Sequence, residues 1–119
     1  MKDVTRLLCS VADPTRLRLL RLIYRQELCV CELMEAVHLP QYQVSRHLRE
    51  LRRVGLVEAT RSGRWMHYRI SGKAAISSLH QDLLKLLDAH THDQPEAKRD
   101  DARIGKRLAG GRADRYVCR

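Results

Sequence analysis

Apolar positions recur along this chain at helical spacing, interrupted once by a short β-prone stretch. Val4, Leu7, Leu8 and Val11 stand at i, i+3, i+4 and i+7, the stripe of a first amphipathic helix. Asp13-Pro14 follows, an N-cap residue and a proline at the first helical position, and predicts a second helix to about Arg25. In LCVCELMEAVHL, Val30, Leu33, Met34 and Val37 share the stripe of a third helix, which Pro40 interrupts. QYQVSRHLRELRRV puts Val44, Leu48 and Leu51 on one arc of a fourth helix that Gly55 ends. Two β-prone runs then flank Ser62-Gly63 as a hairpin. One long helix is expected from Gly72 to about Ala89, carrying Ile76, Leu79, Leu83, Leu84, Leu86 and Leu87. Its apolar arc is wider than one core-facing stripe requires, so a two-fold partner is expected.

The expected class is mainly α with a small β-hairpin. Two consecutive short helices followed by a basic hairpin make a winged helix-turn-helix. Residues 1–92 are assigned to a DNA-binding and dimerisation domain. From residue 93 the pattern is charged, broken by Pro95, Gly105, Gly110 and Gly111, with little apolar periodicity. A flexible basic tail is therefore expected over 93–119.

Composition narrows the function. The 119 residues suit one small domain, and the absence of Phe makes its core aliphatic. A net charge of +9, from 23 Lys and Arg against 14 Asp and Glu, favours a polyanionic partner, nucleic acid before an anionic membrane. No apolar run approaches the ~18 residues of a membrane span, and the first twenty residues hold no signal-peptide core. A cytoplasmic protein with no membrane partner is expected. In that compartment four cysteines read as reduced thiols, which are ligands for soft ions.

On the fourth helix Tyr42, Arg46, Arg49 and Arg53 lie opposite the apolar arc, flanked by Gln41 and Ser45. Arg pairs with guanine edges, Gln with adenine, and Ser with either. Gln41, Tyr42, Ser45 and Arg46 are assigned to bases or groove, and Arg49 mainly to phosphate. A merely solvated basic face is the plain alternative. The hairpin counts against it, because Arg61, Arg64 and Arg69 put a second basic element next door. Trp65 and Tyr68 are read as hairpin packing, and His47 as a packed histidine.

Cys29-Val30-Cys31 opens the third helix, where backbone N–H groups and the helix dipole are expected to lower thiol pKa. Helical residues i and i+2 lie 200° apart, with Cβ atoms roughly 7 Å from each other. Two sulfurs bonded at ~2.3 Å to one ion must come within about 4 Å. Either Cys29 stays outside the first turn, or ion binding unwinds it. Buried, inert cysteines are the plain alternative.

DPTRLRLLRLI, ELCVCELMEAV and QYQVSRHLRELRRVGLVEATRSGRWMHYRIS, with the closing helix, resemble the ArsR/SmtB family of bacterial metal-responsive repressors over about Met1 to Ala89. The resemblance implies a homodimer through the first and last helices, operator binding without the ion, and release with it. The CVC box resembles the arsenite sensors most closely, with As(III) or Sb(III) as inducer and no cofactor otherwise. Cys29 and Cys31 are then the ligands. Where such sensors often carry a third cysteine this chain has Met34, so Cys118, then Cys9, are candidates for the third sulfur. Cadmium, lead or zinc sensing remains open. For zinc, His80, Asp82, His90, His92 and Asp93 supply ligand types at spacings that depart from the family pattern, and are read as exposed polar residues. A thiol-redox repressor is a further alternative. An enzyme is not expected: no phosphate-binding glycine loop or βαβ pattern accompanies the cysteines.

Overall fold

The computed structural model describes residues 1–109, the side chain of Ile76 excepted. Its elements are α1 (Lys2–Val11), α2 (Pro14–Arg25), β1 (Leu28–Cys29), α3 (Val30–Val37), α4 (Gln41–Arg53), β2 (Val57–Ser62), β3 (Trp65–Ile70), α5 (Gly72–Ile76), α6 (Ser78–Thr91) and α7 (Pro95–Leu108). Local chemistry sets the boundaries. Asp13 caps α2 by accepting the Arg16 N–H at 3.0 Å, with Pro14 at the first helical position. α3 stops at His38, which adopts the left-handed conformation at φ 55° and donates its N–H to Met34 O. Pro40 then sets the extended entry to α4.

The core is aliphatic. Leu19, Leu20, Ile23, Leu28, Leu33, Val44, Leu48, Leu51 and Leu56 are buried at its centre, with Tyr68 as its aromatic member. The arc expected of α4 is the buried one, since Val44, Leu48 and Leu51 are fully buried. The hairpin turns through Gly63 and Arg64, one residue later than expected, with Ser62 opposite Trp65. Gly63 stands at φ 63°, which suits the first position of a two-residue hairpin loop.

Three features differ from the sequence expectations. First, the hairpin is part of a three-stranded antiparallel sheet in the order β1-β3-β2, with Leu28 opposite Tyr68 and Cys29 opposite His67. Two residues are too few to carry a strand pattern. Second, the single closing helix is divided at Ser77, which is extended and accepts the His80 N–H through its hydroxyl to start α6. A serine that can cap competes with helix continuation. Third, the flexible tail expected from residue 93 is a docked helix over Pro95–Leu108. Proline at its first position starts it, and Ala97, Asp100 and Ile104 are its buried face. That stripe was hidden because an aspartate stands in it. Residues 110–119, which include Cys118, lie outside the described residues. Among the described residues no helix is long and apolar enough to cross a membrane.

Candidate DNA-reading surface and thiol site

Burying Val44, Leu48 and Leu51 turns the opposite side of α4 outward. Gln41, Tyr42, Arg46 and Arg49 are exposed there, Tyr42 at 68 %, while Ser45 is half-buried. The Gln43 amide donates to the Tyr42 hydroxyl at 3.1 Å. On the wing, Arg61 and Arg64 are exposed. Two other arginines are engaged internally: Arg53 pairs with Glu50 at 3.4 Å, and Arg69 with Glu58. The guanidinium of Arg69 holds the Glu58 carboxyl below its ordinary range. Arg69 is thus less available to DNA than its position in the hairpin suggested.

His47 is the packed histidine expected, and its partner is informative. Arg16 donates to Ser10 O at the end of α1 and reaches His47 Nδ1 on α4 at 3.3 Å. Burial holds the His47 pKa below its ordinary value; Asp13 opposes this, and Arg16 and Arg46 reinforce it. A neutral ring can accept from Arg16, so one arginine joins α1, α2 and α4.

The two cysteines of the CVC box are treated differently by the backbone. Cys29 is the N-cap of α3, extended at φ −85° and ψ 163°, and only Cys31 is helical. Of the two geometries the spacing allowed, the structure adopts the one with Cys29 outside the first turn. Cys29 is fully buried, whereas Cys31 is half-buried. Cys9 and Cys29 are not part of a disulfide, and Cys31 is disulfide-bonded. Glu32, fully buried, accepts the Cys29 N–H at 2.8 Å. This closes a capping box whose signal was a glutamate three residues after the cap, disguised by a cysteine in place of serine.

The expectation of a lowered thiol pKa fails at Cys29. Burial pushes its pKa up and outweighs the N–H groups of Glu32 and Cys31; the Glu32 carboxylate adds to the rise. Cys9, the other described candidate for a third sulfur, is exposed on α1. His80 is buried rather than exposed, with Nδ1 2.8 Å from Ser77 Oγ and Nε2 3.2 Å from Val54 O, while Asp82, His90, His92 and Asp93 are exposed. Among the described residues no three or more His, Cys, Asp or Glu side chains gather into a metal-holding group.

The model of the bacterial regulatory protein arsR family matches residues 13–59. The arsenic resistance transcriptional regulator ArsR2 of Pseudomonas putida is 41 % identical over 83 residues, covering 69 % of this chain and 71 % of its own length. The chain belongs to the arsR family. Its α3, α4 and β2 onset fall in the matched segment. Two other relatives match over a shorter stretch. ArsR1 of the same organism is 49 % identical over 61 residues, half of this chain and 48 % of the relative. The SmtB homologue of Synechocystis, a transcriptional repressor, is 45 % identical over 62 residues, 52 % of this chain and 47 % of its own. The chain thus spans about half the length of these two relatives. Among solved structures, HlyU of Vibrio cholerae superposes with a TM-score of 0.67 at 30 % identity, covering 76 % of this chain and 92 % of that one. A homodimeric winged helix-turn-helix DNA-binding domain from Mycobacterium bovis gives 0.63 at 30 % identity, over 76 % and 82 %. The fold of this family member is accordingly a winged helix-turn-helix, with α3 and α4 as the helix pair and β2–β3 as the wing.

Proposed function

We propose that this chain is a cytoplasmic, homodimeric repressor that leaves its operator when As(III) or Sb(III) binds through Cys29 and Cys31. The observation that carries the proposal is the position of Cys29. It is simultaneously a residue of β1, paired with His67 of the wing strand, and the cap of α3, on which α4 packs. An ion that draws the buried Cys29 sulfur toward Cys31 strains the wing and the helix pair together, which is a physical coupling between the two sites. Capture requires Cys31 reduced. The names of the Pseudomonas relatives support arsenic as the inducer. Gln41, Tyr42, Ser45, Arg46, Arg49, Arg61 and Arg64 form the DNA-contacting set. The third ligand is Cys118, then Cys9, or a water-derived oxygen.

The test is release of operator DNA, in reductant, titrated with As(III), Sb(III), Cd(II), Pb(II) and Zn(II). As(III) and Sb(III) should release wild type at the lowest concentrations. Cys29→Ser and Cys31→Ser should fold, dimerise and bind DNA yet not release, because a hard hydroxyl replaces a soft sulfur. Release of the double variant at the wild-type concentration would place the sensing site elsewhere. The disulfide at Cys31 favours one second reading, a thiol-redox repressor. Release by peroxide without any ion, with arsenite inert, would select it.

A further inference from the structure

α7 buries Ala97 and Ile104 and is also fastened to α2 and α3 by ion pairs. Asp100, fully buried, accepts Arg18 Nε and a terminal guanidinium nitrogen at 2.8 Å each. Arg21, itself buried, donates to both oxygens of Asp101 at 2.7 and 3.0 Å. Arg107 pairs with Glu35 of α3 at 2.8 Å. Two further bonds go to the end of α3. Arg103 donates to Ala36 O at 3.2 Å and Arg18 to Val37 O at 3.0 Å. Carbonyls in the last turn of a helix lack partners within it. Here the arginines of α7 and α2 supply them, so the last turn of α3 is held by the docked α7.

The proposed thiol site is at the other end of the same eight-residue helix. Such a helix is short enough, about 12 Å, to move as one rod. Drawing the Cys29 sulfur out of the core must tilt or unwind α3, and a rod gripped at its last turn resists tilting.

We propose that α7 is a charge-latched strap that opposes ion capture at Cys29 and Cys31 and sets the ion concentration at which the operator is released. This rests on the thiol-site reading above. Leu33 of α3 and Val44 and Leu48 of α4 belong to one buried apolar core that holds none of the charged latch side chains, so DNA affinity without ion should survive the loosening of the latch. Latch loosening should therefore move the release midpoint and leave ion-free binding in place.

The test uses the full chain, so that every cysteine is retained. Asp101→Asn is the main variant, since its side chain is 35 % exposed and the change preserves shape. Asp100→Asn is the second. Both should bind operator like wild type and release it at an As(III) concentration about fivefold lower or more, the lower end of ordinary coupling. Asp101→Glu, which keeps the charge, should return the midpoint toward wild type. Because coupling is reciprocal, As(III) at saturation should speed amide hydrogen exchange in α7 of the wild type. A purely structural role would lower the melting temperature and leave the midpoint alone. If release depends on Cys29 and Cys31 but folded latch variants keep the wild-type midpoint, or α7 exchange is indifferent to As(III), the strap is overturned by itself. If Cys29→Ser/Cys31→Ser still releases at the wild-type concentration, the thiol-site reading falls and takes the strap with it.

Discussion

At the residue scale, two side chains with opposite environments make separable predictions. Arg46 is exposed on α4. Arg46→Ala should weaken operator binding by about 1–3 kcal/mol, the worth of a good base contact, with thermal unfolding nearly unchanged. Operator affinity equal to wild type would remove Arg46 from the reading surface. Cys29 is the reverse case: its burial raises the thiol pKa, so it stays protonated through neutral pH. Arsenite arrives as As(OH)3, and each thiol proton departs in a water molecule, with no net proton released. A divalent ion must instead expel that proton. Between about pH 6.5 and about pH 7.5 the As(III) midpoint should stay level, while the Cd(II) midpoint should fall about tenfold for each thiol that loses a proton. A Cd(II) midpoint independent of pH would mean that Cys29 is already a thiolate.

At the element scale, α7 changes what the C-terminal segment is expected to do. A tail without contacts can be altered freely, whereas a helix that buries Asp100 against Arg18 cannot. Asp100→Ala should destabilise the fold by about 2–4 kcal/mol in urea unfolding, somewhat below the roughly 3–5 of a fully buried pair, because Arg18 keeps 22 % of its side-chain exposure. A loss under about 0.5 kcal/mol would class the contact with ordinary surface ion pairs. The same helix shows why apolar periodicity misses some elements. Ala97, Asp100, Ile104 and Leu108 repeat at helical spacing, but one member is ionised and earns its buried place only through the arginine of another helix. Nothing local to residues 95–108 announces that arginine. Ser77 is the opposite lesson: its capping chemistry was local and legible, and the apolar period running across it concealed the break.

At the scale of the whole molecule, the exposed apolar side chains are not scattered. Among the described residues the large ones are Met1, Val4 and Leu8 at α1, Leu79 and Leu86 on α6, and Tyr42 on α4. The first five lie on or beside the two helices from which a dimer was expected, and two-fold pairing would cover them. Leu86→Glu, at a side chain 56 % exposed, should leave the protomer folded. It should convert a dimer into a monomer in sedimentation at micromolar concentration, and operator affinity should fall with the loss of the second half-site. A wild type that sediments as a monomer would contradict the interface itself.

The sequence by itself determined the helix-turn-helix, the wing, the outward basic face of α4 and the chemical character of the CVC box. Each depends on local signals: the spacing of Val44, Leu48 and Leu51, the Asp13-Pro14 start, a glycine in the hairpin, two cysteines separated by a single residue. Only the tertiary structure decided what surrounds those thiols and what holds α3. The pairing of Cys29 with His67 joins residues far apart in sequence, and it carries Cys29 into the core, where burial overrides the helix-end effect on its pKa. The docking of α7 likewise depends on Arg18 and Arg21, about eighty positions away from the aspartates they neutralise. A one-dimensional pattern reports which side of an element is apolar. It does not report which distant charge will arrive to make a polar one buriable.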